Sequence, residues 1–167
     1  TQAGTETDAL ATHVDLATTL CALGGVDIDD APTLSGVDLS PALADPSASP
    51  RDYVFFSQDA AQSDLIANTR YAVRGFFDGE TKYARYYGIG GGVDRAGNVD
   101  QRPKLFGEDA AFEDHDHEWY EPADDPHELI NLANDVGRKR KLREHFNRLL
   151  EIELAELGDK AGHQGPS

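Results

Sequence analysis

Glu118-Trp119-Tyr120-Glu121-Pro122-Ala123-Asp124-Asp125-Pro126-His127-Glu128-Leu129-Ile130-Asn131-Leu132-Ala133 ties a short aromatic strand to an acidic turn and then to a hydrophobic hook. Asp125-Pro126 breaks the chain as a turn. Beyond it, Leu129, Ile130 and Leu132 are predicted to drop into a core while the Asn131 side chain bonds to backbone. The phrase closes a fold and carries no catalytic pattern of its own.

Working outward, Tyr53-Val54-Phe55-Phe56 and Tyr71-Ala72-Val73-Arg74-Gly75-Phe76-Phe77 read as strands. Asp78-Gly79 turns the second into Thr81-Lys82-Tyr83-Ala84-Arg85-Tyr86-Tyr87, a hairpin with aromatic and β-branched residues on both sides. Trp119-Tyr120 adds a short strand. Downstream, Leu142, Phe146, Leu149, Leu150, Leu154 and Leu157 share one stripe of a long amphipathic helix, with Asp135 as its N-cap and Gly158 as its stop. Helix, connection, strands and helix in that order predict an α+β fold, a small antiparallel sheet packed by a long C-terminal helix. Phe55, Val73 and Tyr83 are expected in the sheet's packing, with Phe146 and Leu150 against it.

An earlier helix is predicted from Thr12. Thr12 and Asp15 have capping-box spacing, Val14, Ala17, Leu20 and Cys21 share a face, and Gly24-Gly25 stop the helix. That apolar face asks for a partner. Val26 to Pro50 then reads as an irregular connection punctuated by Pro32, Gly36, Pro41, Pro46 and Pro50 and pinned by Leu34, Val37, Leu39 and Leu43. The expected organisation is residues 1–50 as a helix and wrapping connection, 51–157 as a second unit and 158–167 as a flexible tail.

The chain has 167 residues and no methionine, so Thr1 is not expected to be a translation start and the chain reads as part of a longer product. Thirty-one Asp and Glu against fifteen Lys and Arg give a net charge of −16, which argues against nucleic acid or an anionic membrane as a general partner. Lysine is confined to Lys82, Lys104, Lys139, Lys141 and Lys160. An excess of carboxylates with little lysine is expected of a protein kept soluble in concentrated salt, in the cytoplasm of a salt-loving organism. The single Cys21 cannot form an intrachain disulfide. No apolar run approaches the roughly 20 residues of a membrane helix.

Taken together, Val14-Asp15-Leu16-Ala17, Thr19-Leu20 and Ala22-Leu23-Gly24-Gly25-Val26, then Leu34, Gly36, Asp38-Leu39-Ser40-Pro41 and Leu43, then Tyr71-Ala72-Val73-Arg74 and Lys82-Tyr83, and last Trp119-Tyr120-Glu121, Asp125-Pro126, Glu128 and Asn131-Leu132 stand in an order that resembles the C-terminal part of a sulfatase. The likeness runs from about residue 12 to 157. Thr18 stands where that family usually has proline, Glu121-Pro122 replaces a more usual Asp-Leu pair, and the stretch from Gly88 to Asp116 matches nothing in the pattern.

The resemblance implies that the helix from Thr12 is the last large helix of an absent α/β catalytic domain. It also implies that the full-length enzyme hydrolyses sulfuric esters with a formylglycine made from Cys or Ser in a Cys/Ser-x-Pro-x-Arg phrase, beside a calcium-type divalent ion. Hard oxygen ligands suit such an ion. Cys21 is followed by Ala22-Leu23-Gly24-Gly25 and lacks that proline and arginine. By resemblance, then, this chain holds no catalytic nucleophile and no metal site, and its partners are the missing catalytic domain and, in the full-length enzyme, a sulfate ester. A phosphonate or phosphate ester hydrolase of the same superfamily, and a free-standing acidic interaction domain, remain alternatives.

Asp114-His115-Asp116-His117-Glu118 is the densest run of ligand-type side chains. In an extended segment His115 and His117 face one side, and two imidazoles can hold zinc or copper, but no further cysteine or spaced histidine completes a closed site. The run is otherwise a solvated acidic loop, or one that leans over the active site of the missing half and brings His115 or His117 to the substrate. Arg138-Lys139-Arg140-Lys141 with Arg143 is the one basic cluster, expected to face solvent or pair with carboxylates such as Glu144. Gly88-Ile89-Gly90-Gly91-Gly92 lacks the Lys-Ser/Thr and the following helix of a phosphate loop.

Overall fold

Aromatic and β-branched side chains on either side of Asp78-Gly79 form the expected hairpin in the computed structural model, which describes residues 4–26, 34–58, 70–89 and 110–158. Strand β2 (Arg70–Phe77) pairs antiparallel with β3 (Lys82–Ile89), with Arg74 opposite Arg85 and Phe76 opposite Tyr83. The Asp78 carboxylate accepts from the Thr81 amide at 2.7 Å and the Glu80 amide at 3.1 Å, while Gly79 takes φ +94°, a backbone conformation that glycine adopts without strain. β1 (Val54–Gln58) lies beside β2, and β4 (Asp116–Tyr120) pairs antiparallel with β3, giving the order β1-β2-β3-β4. At Gly75 a Cβ would overlap the Phe56 ring and the Tyr83 carbonyl, so glycine lets β1's aromatic ring lie directly on β2.

The chain divides into two units, Thr1–Val54 and Phe55–Ser167. In the second, α3 (Lys139–Leu157) lies on the sheet face that carries Ala72, Arg74, Phe76, Tyr83, Arg85, Tyr87, His117 and Trp119. Asp135 caps the turn leading into it, accepting from the Gly137 amide at 2.8 Å, and Gly158 at φ +68° ends it. The buried stripe of α3 is Leu142, His145, Phe146, Leu149, Ile152 and Glu153. The expected stripe is thereby corrected: Leu150, Leu154 and Leu157 are exposed, and the buried stripe instead takes in an imidazole and a carboxylate that face the sheet. Phe146 holds its expected place, its ring 5.2 Å from Phe112 and 5.5 Å from His115. Phe146→Ala should lower stability by about 3 kcal/mol, through lost transfer energy and an unfilled cavity, read as a shifted midpoint in chemical unfolding.

In the first unit, α1 (Val14–Leu23) forms where the capping-box spacing predicts, and the Thr12 amide donates to Asp15 Oδ2 at 2.8 Å. A short α2 (Ser40–Ala44) begins with Pro41 in its first turn, where a missing amide hydrogen costs nothing. The side of α1 that is buried is its polar side, Asp15, Thr18 and Thr19. Asp15 Oδ1 accepts from the Val37 amide at 2.8 Å and pairs with Arg51, and Thr19 Oγ1 accepts from the Leu39 amide at 2.9 Å. Two side chains of α1 thus supply the bonds that a strand would otherwise supply to the segment around Val37. At Gly36 a Cβ would collide with the backbone of Val14 and Asp15, so glycine permits this close crossing. Residues 27–33 of the expected wrapping connection, most of the stretch from Gly88 to Asp116 and the tail after Gly158 lie outside the described residues.

Candidate functional site

β4 begins in the run of acidic and imidazole side chains, and its alternation sorts them by face. Glu118 points to the sheet's other side, where its carboxylate accepts from the Tyr86 hydroxyl at 2.9 Å; burial first, then this carboxylate, push the phenol up to about 12. His115, His117 and Trp119 turn toward α3. The two imidazole centroids lie 6.2 Å apart and each packs on Phe146, so the expected shared side is the side covered by the helix. His117 Nε2 lies 2.9 Å from the Phe112 carbonyl oxygen and donates to it, leaving Nδ1 to accept from the Tyr83 hydroxyl at 2.8 Å. Burial lowers its pKa below the ordinary imidazole value, against the Phe112 bond and Asp116, which raise it.

Beside this aromatic layer sits a charged one. Glu153 on α3 accepts from Arg85 Nη2 at 2.6 Å and Nε at 3.0 Å, and from Arg74 Nη1 at 3.3 Å. Arg85 is 1% exposed, and both guanidiniums lie over the Tyr87 ring, at 5.0 and 5.4 Å from its centroid. Arg85 Nη1 also lies 3.4 Å from His115 Nε2. Reading the sequence missed Arg74, Arg85, His145 and Glu153 as a group. The available signal was the alternation of basic and aromatic residues in the hairpin, together with a carboxylate at helical spacing from Leu142, Phe146 and Leu149.

The hook after β4 is built as a tight loop. The Asp125 carboxylate accepts from the Ile130 amide at 2.8 Å, and Lys82 Nζ holds both Glu128 oxygens at 2.9 Å, with Glu128 at φ +53°. Asn131 behaves as expected. Its Oδ1 accepts from the Trp119 amide at 3.1 Å and the Ala133 amide at 3.0 Å, and its Nδ2 donates to the His117 carbonyl at 2.9 Å. Leu129 and Ile130, by contrast, are 80% and 65% exposed, a correction to their expected place in a core. The left-handed turn at Glu128 and the bond from Asp125 to the Ile130 amide hold these two residues at the outside of the loop.

The basic cluster at the start of α3 is largely paired: Arg138 with Asp135 at 3.2 Å, Lys141 with Glu121 at 3.1 Å, Arg140 with Glu144 at 3.2 Å, and Arg143 with Glu113. Cys21 is a half-buried free thiol in the last turn of α1. Among the described residues no three His, Cys, Asp or Glu side chains are placed to share a metal ion, and His115 and His117 gain no third ligand there. These residues therefore do not fit the calcium-type ion and formylglycine of the sulfatase pattern, and no step through either is assigned to this chain. Among the described residues no helix is long and apolar enough to cross a membrane.

No protein-family model and no curated protein matches the chain. Solved structures do. BT4656, in complex with its substrate D-glucosamine-2-N,6-O-disulfate, aligns with a TM-score of 0.68 at 17% identity, over 98% of this chain and 28% of its own. BT1596, a 2-O GAG sulfatase, aligns at 0.52 and 23% identity over 87% of this chain and 25% of its own. The phosphonate monoester hydrolase of Agrobacterium radiobacter aligns at 0.53 and 20% identity over 85% of this chain and 24% of its own. The chain thus spans about a quarter of each of these proteins, and at such identities the likeness is one of fold: this chain has the fold of the C-terminal part of these sulfatases and of this phosphonate monoester hydrolase.

Proposed function

We propose that this chain is the C-terminal portion of a sulfatase-type hydrolase, and that it shapes and covers the active site of a catalytic half outside this sequence. The full-length enzyme would hydrolyse sulfuric esters with a formylglycine and a calcium-type ion supplied by that half, and this chain alone would be inactive. The observation that carries the reading is α1. Its polar side is buried within its own unit, while Val14, Leu16, Leu20 and Leu23 are exposed, Leu20 at 68% and Leu23 at 60%. A helix with a stripe of large aliphatic side chains in water is an interaction surface. The alignment over 98% of this chain but 28% of BT4656 leaves ample further chain in such an enzyme to cover it. Direct contact of His115 or His117 with substrate is not part of the proposal, because both rings pack against Phe146. The match to the phosphonate monoester hydrolase supports a second reading, in which the ester cleaved is a phosphonate or phosphate.

The test starts with the DNA upstream of the Thr1 codon. An open frame carrying Cys/Ser-x-Pro-x-Arg supports the proposal, and the joined protein is then assayed on an aryl sulfate and on an aryl phosphonate monoester. Faster turnover of the sulfate is the expected result, and faster turnover of the phosphonate selects the second reading. A stop codon followed by a start codon near Thr1 would sink both and leave a free-standing interaction domain. On the isolated chain, Leu20→Asp with Leu23→Asp should convert a self-associating species to a monomer in sedimentation velocity. The same pair in the joined protein should reduce activity at least tenfold by lifting α1 off its partner.

A further inference from the structure

Three of the five described histidines lie between α3 and the sheet. His145 is wedged among Trp119, with centroids 4.7 Å apart, Tyr83 at 6.0 Å and Phe76 at 6.3 Å, and its Nε2 is wholly buried with no hydrogen-bond partner among the described residues. His117 stacks on the other side of the layer, against Tyr83 at 6.0 Å and Phe112 at 4.4 Å. With Nε2 donating to the Phe112 carbonyl, Nδ1 lies 2.8 Å from the Tyr83 hydroxyl, so a neutral ring already satisfies both of its nitrogens. We propose that the interface of α3 with the sheet is a pH-sensitive clasp, closed while His117 and His145 are neutral and released when they take up protons.

The groups that face these rings are accounted for on every side. Around His145 stand Lys141 and Arg148 from α3, Asp78 from the hairpin turn and Glu121 from the segment after β4, with Phe76, Tyr83 and Trp119 from the three strands. The two carboxylates are already engaged by the two cations, Asp78 with Arg148 and Glu121 with Lys141. No opposite charge is left over among these groups to welcome an imidazolium, so burial decides. Around His117 stand Asp116, Glu113 and Arg85, with the His115 imidazole 6.2 Å away, Tyr83 and Phe112 stacked on its ring and Phe146 edge-on to it. Burial is again the largest influence and lowers both pKa values from the ordinary 6.5.

The sign follows directly. A group that is neutral in the docked helix and titrates normally when released gives stability that is complete above pH 6.5 and is lost as the pH falls below it. Carboxylates with lowered pKa values, Asp78 and Glu113 among them, give way only below about pH 4.5, so the interval from 6.5 to 5 belongs to the histidines.

Hydrogen exchange of the α3 amides, corrected for intrinsic rates and followed from pH 8 to 5 on the whole chain, reads the clasp. The opening constant should be flat above about pH 7 and rise by about tenfold per pH unit for each histidine below 6.5, hence up to about 100-fold for the two. His145→Phe keeps the ring contacts and should reduce the rise to about tenfold per unit. Imidazole resonances of the unmodified chain decide the matter even where that variant does not fold: both rings should stay neutral in the native signal below pH 6. Protection of α3 that ignores pH from 8 to 5, or either ring titrating near 6.5 with α3 still protected, would overturn the proposal.

Discussion

Glu153→Ala should lower the unfolding free energy of the sheet and its helix by about 3–5 kcal/mol, the usual cost of deleting one member of a buried ion pair. The deletion takes two short bonds from Arg85 and one from Arg74, and both guanidiniums stay in the interface because Tyr87 and the strand backbone hold them there. The penalty is the desolvation of positive charge that has lost its carboxylate, more than the loss of the attraction itself. Two comparisons separate these terms. Glu153→Gln keeps an acceptor but no charge and should fall between the parent and the alanine variant. Replacing Arg74, Arg85 and Glu153 together by well-packed apolar residues should recover most of the loss. Trp119, the chain's single tryptophan and wholly buried, reports the transition by fluorescence. A loss below 1 kcal/mol for Glu153→Ala would mean that the two arginines are served equally well without it.

This cluster also marks where sequence reading stops. The hairpin was legible because Asp78-Gly79 is a turn with a mechanism and because strand alternation fixes which residues share a face. Asn131 was legible because an amide after a turn has backbone groups within reach. The inner side of α3 was only half legible. A count of leucines favours Leu150 and Leu154, but helical geometry carries the buried stripe from Leu149 to Ile152 and Glu153, and Glu153 is acceptable inside because two arginines on neighbouring strands wait for it. That pairing depends on the register that sets Arg74 opposite Arg85, which no local pattern announces. Leu129 and Ile130 failed for a different reason. Apolar character predicted burial, but the backbone at Glu128 and the Asp125 carboxylate turn the loop outward. His115 and His117 were placed correctly on a common side, while the helix that covers this side comes from some 30 residues later in the chain and could not be read from the run itself.

The apolar face of α1 offers the same lesson inverted, and Asp15 is its test. Hydrophobic periodicity marks Val14, Ala17, Leu20 and Cys21, yet within this unit the helix is held by its polar side, and Asp15 is the centre of that attachment. One carboxylate, fully buried, serves the Thr12 amide at the start of the helix, the Val37 amide of the crossing segment and the Arg51 side chain ahead of β1. Burial alone would raise its pKa; the Val37 amide, Arg51 and the Thr12 amide together outweigh burial and hold it below the ordinary 3.8. A carboxyl lowered in this way gives stability that is present above pH 3.8 and is lost as the pH falls through its folded value, well apart from the histidine interval. Asp15→Ala should therefore cost the first unit about 3–5 kcal/mol, because it strands a buried guanidinium and two amides at once. Asp15→Asn should cost less, since an amide oxygen still accepts from one backbone group. Arg51 supplies the readout. Residues 1–54 contain no lysine and no other arginine, and Arg51 is buried, so trypsin should spare the Arg51-Asp52 bond in the parent and cut it readily in Asp15→Ala. Equal cleavage rates in the two proteins would show that the attachment rests on Thr19 and Leu39 and that the buried pair is dispensable.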